Sequence, residues 1–334
     1  MRSMFFSQAI DDALAQAMAD DPSIIIFGED TSLIRRNLLV RFGSKRVREA
    51  WISESAFLGA GVAAAMSGLR PVVELYMVDF LGVCMDALLN HAAKIKAFSG
   101  GKWNAPVVVR APCGGGYGDG GQHEQCLWGW LAHIPGLSVV VPSTPIDAGG
   151  LMLSALKQDG PVIFLEHKLL SETWLEFLGR GGRSNVRFDI PASGLKGTVP
   201  KKWEPIPFGK AVLRRAGGDV TIVSLGVGVH RALEAAQALD LEGITAAVLD
   251  LRVRHIVEQR LGHGIVGDPH GCALRRCGRP LHTEQILQPG HVLEPDEVHP
   301  AFVPSADCLP GLVVRVLQRR QHQDQGRHQP QRQG

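Results

Sequence analysis

Five short runs constrain this chain more than anything else in it: SIIIF at 23–27, PVVELY at 71–76, VVVR at 107–110, SVVV at 138–141 and VIFLE at 162–166. Each is mostly apolar on consecutive positions and rich in β-branched residues. A strand with that pattern is covered on both faces, the condition of a parallel sheet with helices above and below it. The intervening stretches suit the covering layers. Residues 1–18 have the spacing of an amphipathic helix, AFLGAGVAAAM at 56–66 is a helix of small residues, and 86–98, 127–133 and 146–157 are helical in period. Over 1–185 the expected fold is therefore α/β, a doubly wound, mostly parallel sheet.

Residues 186–207 break the rhythm with Gly, Pro and Lys and are expected to link two domains. A second α/β unit starts at 208, with strands at 220–225 and 245–251 around a helix at 228–239, and runs to 252. From 253 to 334 the character changes. All ten lysines lie at or before Lys210, and eight of the thirteen histidines lie after residue 254. This has the look of a reading-frame change in a GC-rich coding sequence, and QRRQHQDQGRHQPQRQG at the end is low-complexity and cannot bury a core. GLVVRVL at 311–317 is one of the few apolar stretches there. His270, Cys272, Cys277 and His282 could be read as zinc ligands, but their spacing is not that of paired C-x-x-C motifs.

Charge excludes several classes. A net charge of +2 over 334 residues gives no general attraction to nucleic acid or membranes. No run of about eighteen apolar residues suggests a membrane span. Asp11 and Asp12 interrupt what would have to be a signal peptide, so reduced cysteines and a cytoplasmic location are expected.

Six segments carry the chemistry in a fixed order: GED at 28–30, ISESAFLGAGVAAAMSGLRPVVE at 52–74, DALLNHAAKIKAFSGG at 86–101, GGGYGDGGQHEQ at 114–125, AHIPGLSVVVPSTPIDAGGL at 132–151 and DGPVIFLEHKLL at 159–170. Together they resemble the β subunits of thiamine-diphosphate-dependent 2-oxo acid dehydrogenases of the pyruvate, branched-chain and acetoin types, members of the transketolase-like group. The resemblance runs from about residue 4 to about residue 252. It implies a pyrimidine-binding domain at 1–185 followed by the start of a transketolase C-terminal-like domain. It also implies an enzyme that, with an α subunit, decarboxylates a 2-oxo acid and passes the acyl group to a lipoyl-bearing acyltransferase core, as an α2β2 heterotetramer.

Residue roles follow from the same resemblance. Taken alone, Glu54 in ISES is a carboxylate at a helix start, favoured by the dipole. The matching family glutamate hydrogen-bonds the cofactor's aminopyrimidine and favours its imino tautomer, which can then take the thiazolium C2 proton. Phe80 matches an aromatic that packs on the pyrimidine. It reads equally as a core ring, and the two roles are compatible. His123 sits in a Gly-rich loop after a strand and matches a histidine that orients substrate or moves a proton during acyl transfer, a task suited to imidazole. The family usually has Ser next, where this chain has Glu124, a carboxylate that could raise the histidine's pKa or narrow the substrate range. His91 and His133 also match family positions and read as structural histidines.

Two metal questions arise. GDG at 118–120 suggests the Mg²⁺-diphosphate motif of thiamine enzymes, but the asparagine expected downstream is missing, since Asn185 is the next one after Asn104. The α subunit is therefore expected to hold Mg²⁺ and the diphosphate. Some relatives bind potassium through carbonyls that match Val107, Ala155, Leu156, Gln158 and Gly160, where an ordinary helix-to-strand turn is the competing reading. Two alternative functions stand beside the main one. The chain could be another transketolase-like thiamine enzyme, or a subunit disabled by its altered C-terminal part.

Overall fold

The computed structural model describes residues 1–116, 118–177, 182, 183, 186–255 and 312–315. Strand β1 (Arg2–Phe5) runs straight into the helix Phe6–Asp20. Strands β2 (Ile24–Gly28), β3 (Val47–Glu49), β4 (Arg70–Glu74), β5 (Val108–Cys113), β6 (Ser138–Val140) and β7 (Val162–His167) then form the main sheet. Their order is β3-β2-β4-β5-β7-β6, and all six are parallel. Every residue of β5 and β7 is buried, the mostly apolar runs and the charged Arg110 and Glu166 alike.

Consecutive residues of each strand feed opposite cores. Val73, Val109 and Leu165 pack under the helix Glu54–Met66 and the turns that carry Leu81 and Leu88. Val72, Val108 and Phe164 pack against the helices Phe6–Asp20 and Pro145–Leu156. Burying each such large apolar side chain contributes about 1.5–3 kcal/mol, so the two layers fix the sheet firmly. The small-residue helix lies close to the sheet, and a Cβ at Gly61 would come within 2.5 Å of Val73 Cγ2. The segment 86–98 departs from a single helix. A π-type turn over Asp86–Ala92 keeps Leu88 and Ala92 both in the core before a short helix at Ile95–Phe98.

A buried ionic network ties the carboxyl ends of three strands together. Arg35 makes a two-pronged bond to Glu74, at 2.9 and 3.0 Å. Arg110 reaches Glu166 at 2.7 Å and Asp11 at 2.9 Å, and the Tyr76 hydroxyl donates to Glu74 at 2.8 Å. Burial alone would raise the Glu74 pKa, but Arg35 and Arg110 outweigh it and hold the carboxyl below the usual range.

The stretch expected as a linker packs along the first domain. The short pair β8 (Gly182–Arg183) and β9 (Val186–Arg187) precedes β10 (Lys196–Val199), which joins β1 in an antiparallel ribbon. Trp203 is buried, with its indole N–H on Asp12 at 2.7 Å. Strands β11 (Val212–Arg215), β12 (Val220–Ser224) and β13 (Ala246–Asp250) build a second sheet beside the helix Val227–Leu241. Strand β14 (Val253–His255) does not continue that sheet. It returns to the first and pairs antiparallel with β6. Strand β15 (Leu312–Arg315), from the apolar stretch noted above, completes the second sheet against β12, in the order β11-β13-β12-β15. The two units are clamped by Arg214, which bonds Asp147 and, at 2.8 Å, Asp250. The Ser143 hydroxyl adds a bond to Asp250 at 2.5 Å. Residues 256–311 and 316–334, with the four His and Cys positions weighed for zinc, lie outside the described residues.

Candidate active site

After β2 the chain moves outward to β3 and then returns to β4 on β2's other side, so the connections diverge between β2 and β4. In a doubly wound sheet the crevice beyond the carboxyl ends at that divergence is where ligands bind. Gly28 ends β2 with φ +153, and a Cβ there would fall 2.0 Å from the Glu74 carbonyl oxygen. Glycine is needed for this close approach, which sets the next residue, Glu29, at the crevice.

Glu54 is the first residue of the helix that follows β3, half-buried and on the same side. Glu29 is only 6% exposed, and its Oε1 has no hydrogen-bond partner. Burial, then the charges of Glu54 and Asp30, push the Glu29 carboxyl up to about 7. The Cys84 thiol beneath is pushed up to about 12 by burial and the same two glutamates. The site therefore presents two interacting carboxyls, of which the sequence singled out Glu54 alone. The signal for Glu29 was present in the GED segment.

Phe80 and His123 come from different strand ends and meet. Phe80 lies on the turn after β4, His123 on the loop after β5, and their rings pack edge to face with centroids 5.5 Å apart. His123 Nδ1 lies 3.1 Å from the Asp119 carbonyl oxygen, and the Lys168 ammonium donates to the His123 carbonyl. Lys168 follows β7 and is fully buried, and burial depresses its pKa. It was not anticipated, although HKLL was among the matched segments. Glu124 accepts the Asp119 N–H at 2.7 Å, and its charge acts on Lys168. The loop is closed at its base by the Gly114 N–H on the Gln125 carbonyl, 3.0 Å, and is tied to the β4 side by the Gln125 N–H on Asp79, 3.3 Å. His91 is exposed beside Asp86, at 3.4 Å, away from this cluster.

Four of the five carbonyls matched to a potassium site accept from protein donors. Arg70 Nη1 donates to Leu156 at 2.8 Å and to Gln158 at 3.0 Å. The Val107 carbonyl accepts the Val162 N–H, and Ala155 accepts the Gln158 N–H. Gly160 sits at the following turn into β7. Among the described residues no group of three or more His, Cys, Asp or Glu is placed to hold a metal ion, and no helix is long and apolar enough to cross a membrane.

Comparison with known proteins agrees with this fold. Residues 2–172 match the transketolase pyrimidine-binding domain and residues 209–265 the transketolase C-terminal domain. The chain is 41% identical to the β subunit of acetoin:2,6-dichlorophenolindophenol oxidoreductase from Cupriavidus necator, over 75% of this chain and 72% of that protein. It is 37% identical to the 2-oxoisovalerate dehydrogenase β subunit of Bacillus subtilis over the same shares. It is 38% identical to the pyruvate dehydrogenase E1 β subunit of Rhizobium meliloti, over 75% of this chain and 52% of that protein. A solved structure described as a split-gene transketolase, inactive β4 tetramer, shares the fold at a TM-score of 0.55 and 21% identity, over 75% of this chain and 71% of that one. The chain belongs to the family of E1 β subunits of 2-oxo acid dehydrogenases, of the acetoin, pyruvate and branched-chain types.

Proposed function

We propose that this chain, with an α subunit, forms the decarboxylating component of a 2-oxo acid dehydrogenase and passes the acyl group to a lipoyl domain on an acyltransferase core. The observation that carries this reading is the Glu29–Glu54 carboxyl pair in the crevice, with the Phe80–His123 ring pair on the neighbouring strand ends. The residues fit one half of thiamine diphosphate. The unpartnered Oε1 of Glu29, half-buried Glu54 and the partly exposed Phe80 ring offer polar and flat contacts for an aminopyrimidine. The diphosphate half is not matched: GDG at 118–120 belongs to the His123 loop and lacks the downstream asparagine, since Asn185 is the next one after Asn104. An α subunit holding Mg²⁺ and the diphosphate completes the site between chains.

When bound, the cofactor supplies the group that accepts the electron pair released on decarboxylation. Glu54 holds a proton at the pyrimidine ring nitrogen. Glu29, pushed up to about 7 by burial and the charges of Glu54 and Asp30, is partly protonated near neutral pH, which eases its repulsion with Glu54. Phe80 supports the ring and steadies His123. His123 would hold a proton for the substrate carboxylate or for the sulfur released when the lipoyl disulfide opens and takes the acyl group. Arg70 takes the place of a potassium ion on the Leu156 and Gln158 carbonyls. Assembly as an α2β2 heterotetramer follows from the same family reading.

The test is co-expression with an α subunit, followed by reduction of an artificial electron acceptor with pyruvate, branched-chain 2-oxo acids and acetoin in turn. Turnover that needs thiamine diphosphate with one of the 2-oxo acids supports the reading and names the substrate, whereas turnover with acetoin alone contradicts the decarboxylation. A stable assembly that turns over none of them contradicts it.

A further inference from the structure

Two cysteines outside the proposed mechanism stand at the base of the His123 loop. Cys113 is the last residue of β5, and Cys126 follows Gln125, so the pair flanks the loop 114–125 on either side of the Gly114–Gln125 backbone bond. Cys113 is fully buried, Cys126 is partly exposed, and both are free thiols in side-chain hydrogen-bond contact. His167 is paired with Cys113 across the sheet and also bonds the Cys126 sulfur. Gly114 makes room for that ring: with φ +97, a Cβ there would lie 2.1 Å from His167 Nε2. The Gly115 N–H gives the Cys126 sulfur a third contact. A sulfur held by a thiol, an imidazole and a backbone N–H, with a second sulfur alongside, is the environment of an activated dithiol.

We propose that Cys113 and Cys126 form a redox couple that a peroxide oxidises to a disulfide and a small thiol reduces, clamping the base of the His123 loop. Cys126 is the attacking group. The Cys113 hydrogen bond, followed by the contacts to His167 and Gly115, holds its thiol below the usual range. Its thiolate attacks a peroxide oxygen. An S–O bond forms, the O–O bond breaks, and the departing alkoxide or hydroxide takes a proton and leaves as alcohol or water. The sulfur is oxidised by two electrons to a sulfenic acid. Cys113 then attacks that sulfur. An S–S bond forms, the S–O bond breaks, and hydroxide leaves as water with the Cys113 proton. In sum, two thiols and one peroxide give one disulfide, one alcohol or water, and one water. Cys84 lacks this chemistry, because burial and two glutamates push its thiol up to about 12.

The test needs no variant. No Lys or Arg lies between Arg110 and Lys157, so trypsin releases both cysteines on the single peptide 111–157, which contains no other. The full chain is treated with hydrogen peroxide, quenched with iodoacetamide, digested and weighed. The expected product is peptide 111–157 lighter by about 2 Da than its reduced, unalkylated form, the two hydrogens lost on forming a disulfide, and carrying no alkyl group. Dithiothreitol before alkylation should restore two alkylated cysteines. Overturning results are a peptide that stays doubly alkylated after peroxide, or one that gains oxygen on Cys126 without linking to Cys113. These masses do not depend on turnover, so they stand or fall separately from the proposed enzyme activity.

Discussion

The Phe80 and His123 rings meet edge to face with centroids 5.5 Å apart, although one follows β4 and the other belongs to the loop after β5. The contact joins two strand ends across the mouth of the sheet, and it places an imidazole that can carry a proton against an aromatic platform. His123→Asn is expected to lower kcat by about 10²–10⁴-fold, the usual contribution of a positioned acid–base group. Steady-state kinetics of the αβ assembly measure it. Phe80→Leu should weaken cofactor binding while leaving the assembly intact. A cofactor titration unchanged by Phe80→Leu would remove the ring from the site.

The buried ion network makes a stability prediction. Arg35→Met leaves the Glu74 carboxylate, itself fully buried, without its two-pronged partner. Breaking one side of a buried pair costs about 3–5 kcal/mol. Urea unfolding should show that loss, and a change within about 0.5 kcal/mol would mean that Arg110 and Tyr76 suffice.

A pH dependence follows from Glu172. Its carboxylate accepts the Ser7 and Gln8 N–H groups at the start of the first helix, at 2.8 and 2.7 Å, and burial pushes it up to about 7 from an ordinary value of 4.5. Between those two pH values the folded chain binds a proton that the unfolded chain has released. The associated stability is therefore fully present below about 4.5 and is lost as pH rises through about 7. Glu29 acts with the same sign. Glu172→Gln should gain on the wild type in thermal midpoint as pH is raised from 5 to 8. A constant gap between the two would contradict the assignment.

Arg70 bears on the cation question. Its donation to Leu156 and Gln158 supplies positive charge to carbonyls that would otherwise suit an ion. Replacing potassium by sodium in the buffer is expected to leave the thermal midpoint of the assembly unchanged. Arg70→Met, by leaving two carbonyls without donors, should lower stability by about 1–3 kcal/mol. A midpoint that rises with potassium in the unaltered protein would overturn the substitution of arginine for the ion.

The sheet was legible because its strands are buried on both faces and so appear as mostly apolar, β-branched runs; Val108 and Val109 before Arg110 in β5 and VIFL before Glu166 in β7 show it most plainly. Glu54, Phe80 and His123 were legible through ordered segments resembling a known family. Glu29 was quoted in GED yet not singled out, because its raised pKa depends on burial and on Glu54, which only the fold brings near. Lys168 was quoted in DGPVIFLEHKLL yet not singled out, because nothing local reveals that it reaches the His123 carbonyl. The packing of 186–207 was hidden for a similar reason. Its Gly, Pro and Lys content reads as a tether, whereas β10 is held by β1 and Trp203 by Asp12, partners nearly two hundred residues away. The return of β14 to the first sheet is likewise a long-range pairing that three residues cannot announce.

The central claim is that Glu54 activates thiamine diphosphate from this chain. The most direct measurement is the rate at which the cofactor's C2 proton exchanges with deuterium in the αβ assembly, compared between the wild type and Glu54→Gln. The account predicts exchange slower by at least about 10²-fold in Glu54→Gln, with cofactor still bound. Equal exchange rates in the two proteins would contradict it and move the activating group elsewhere.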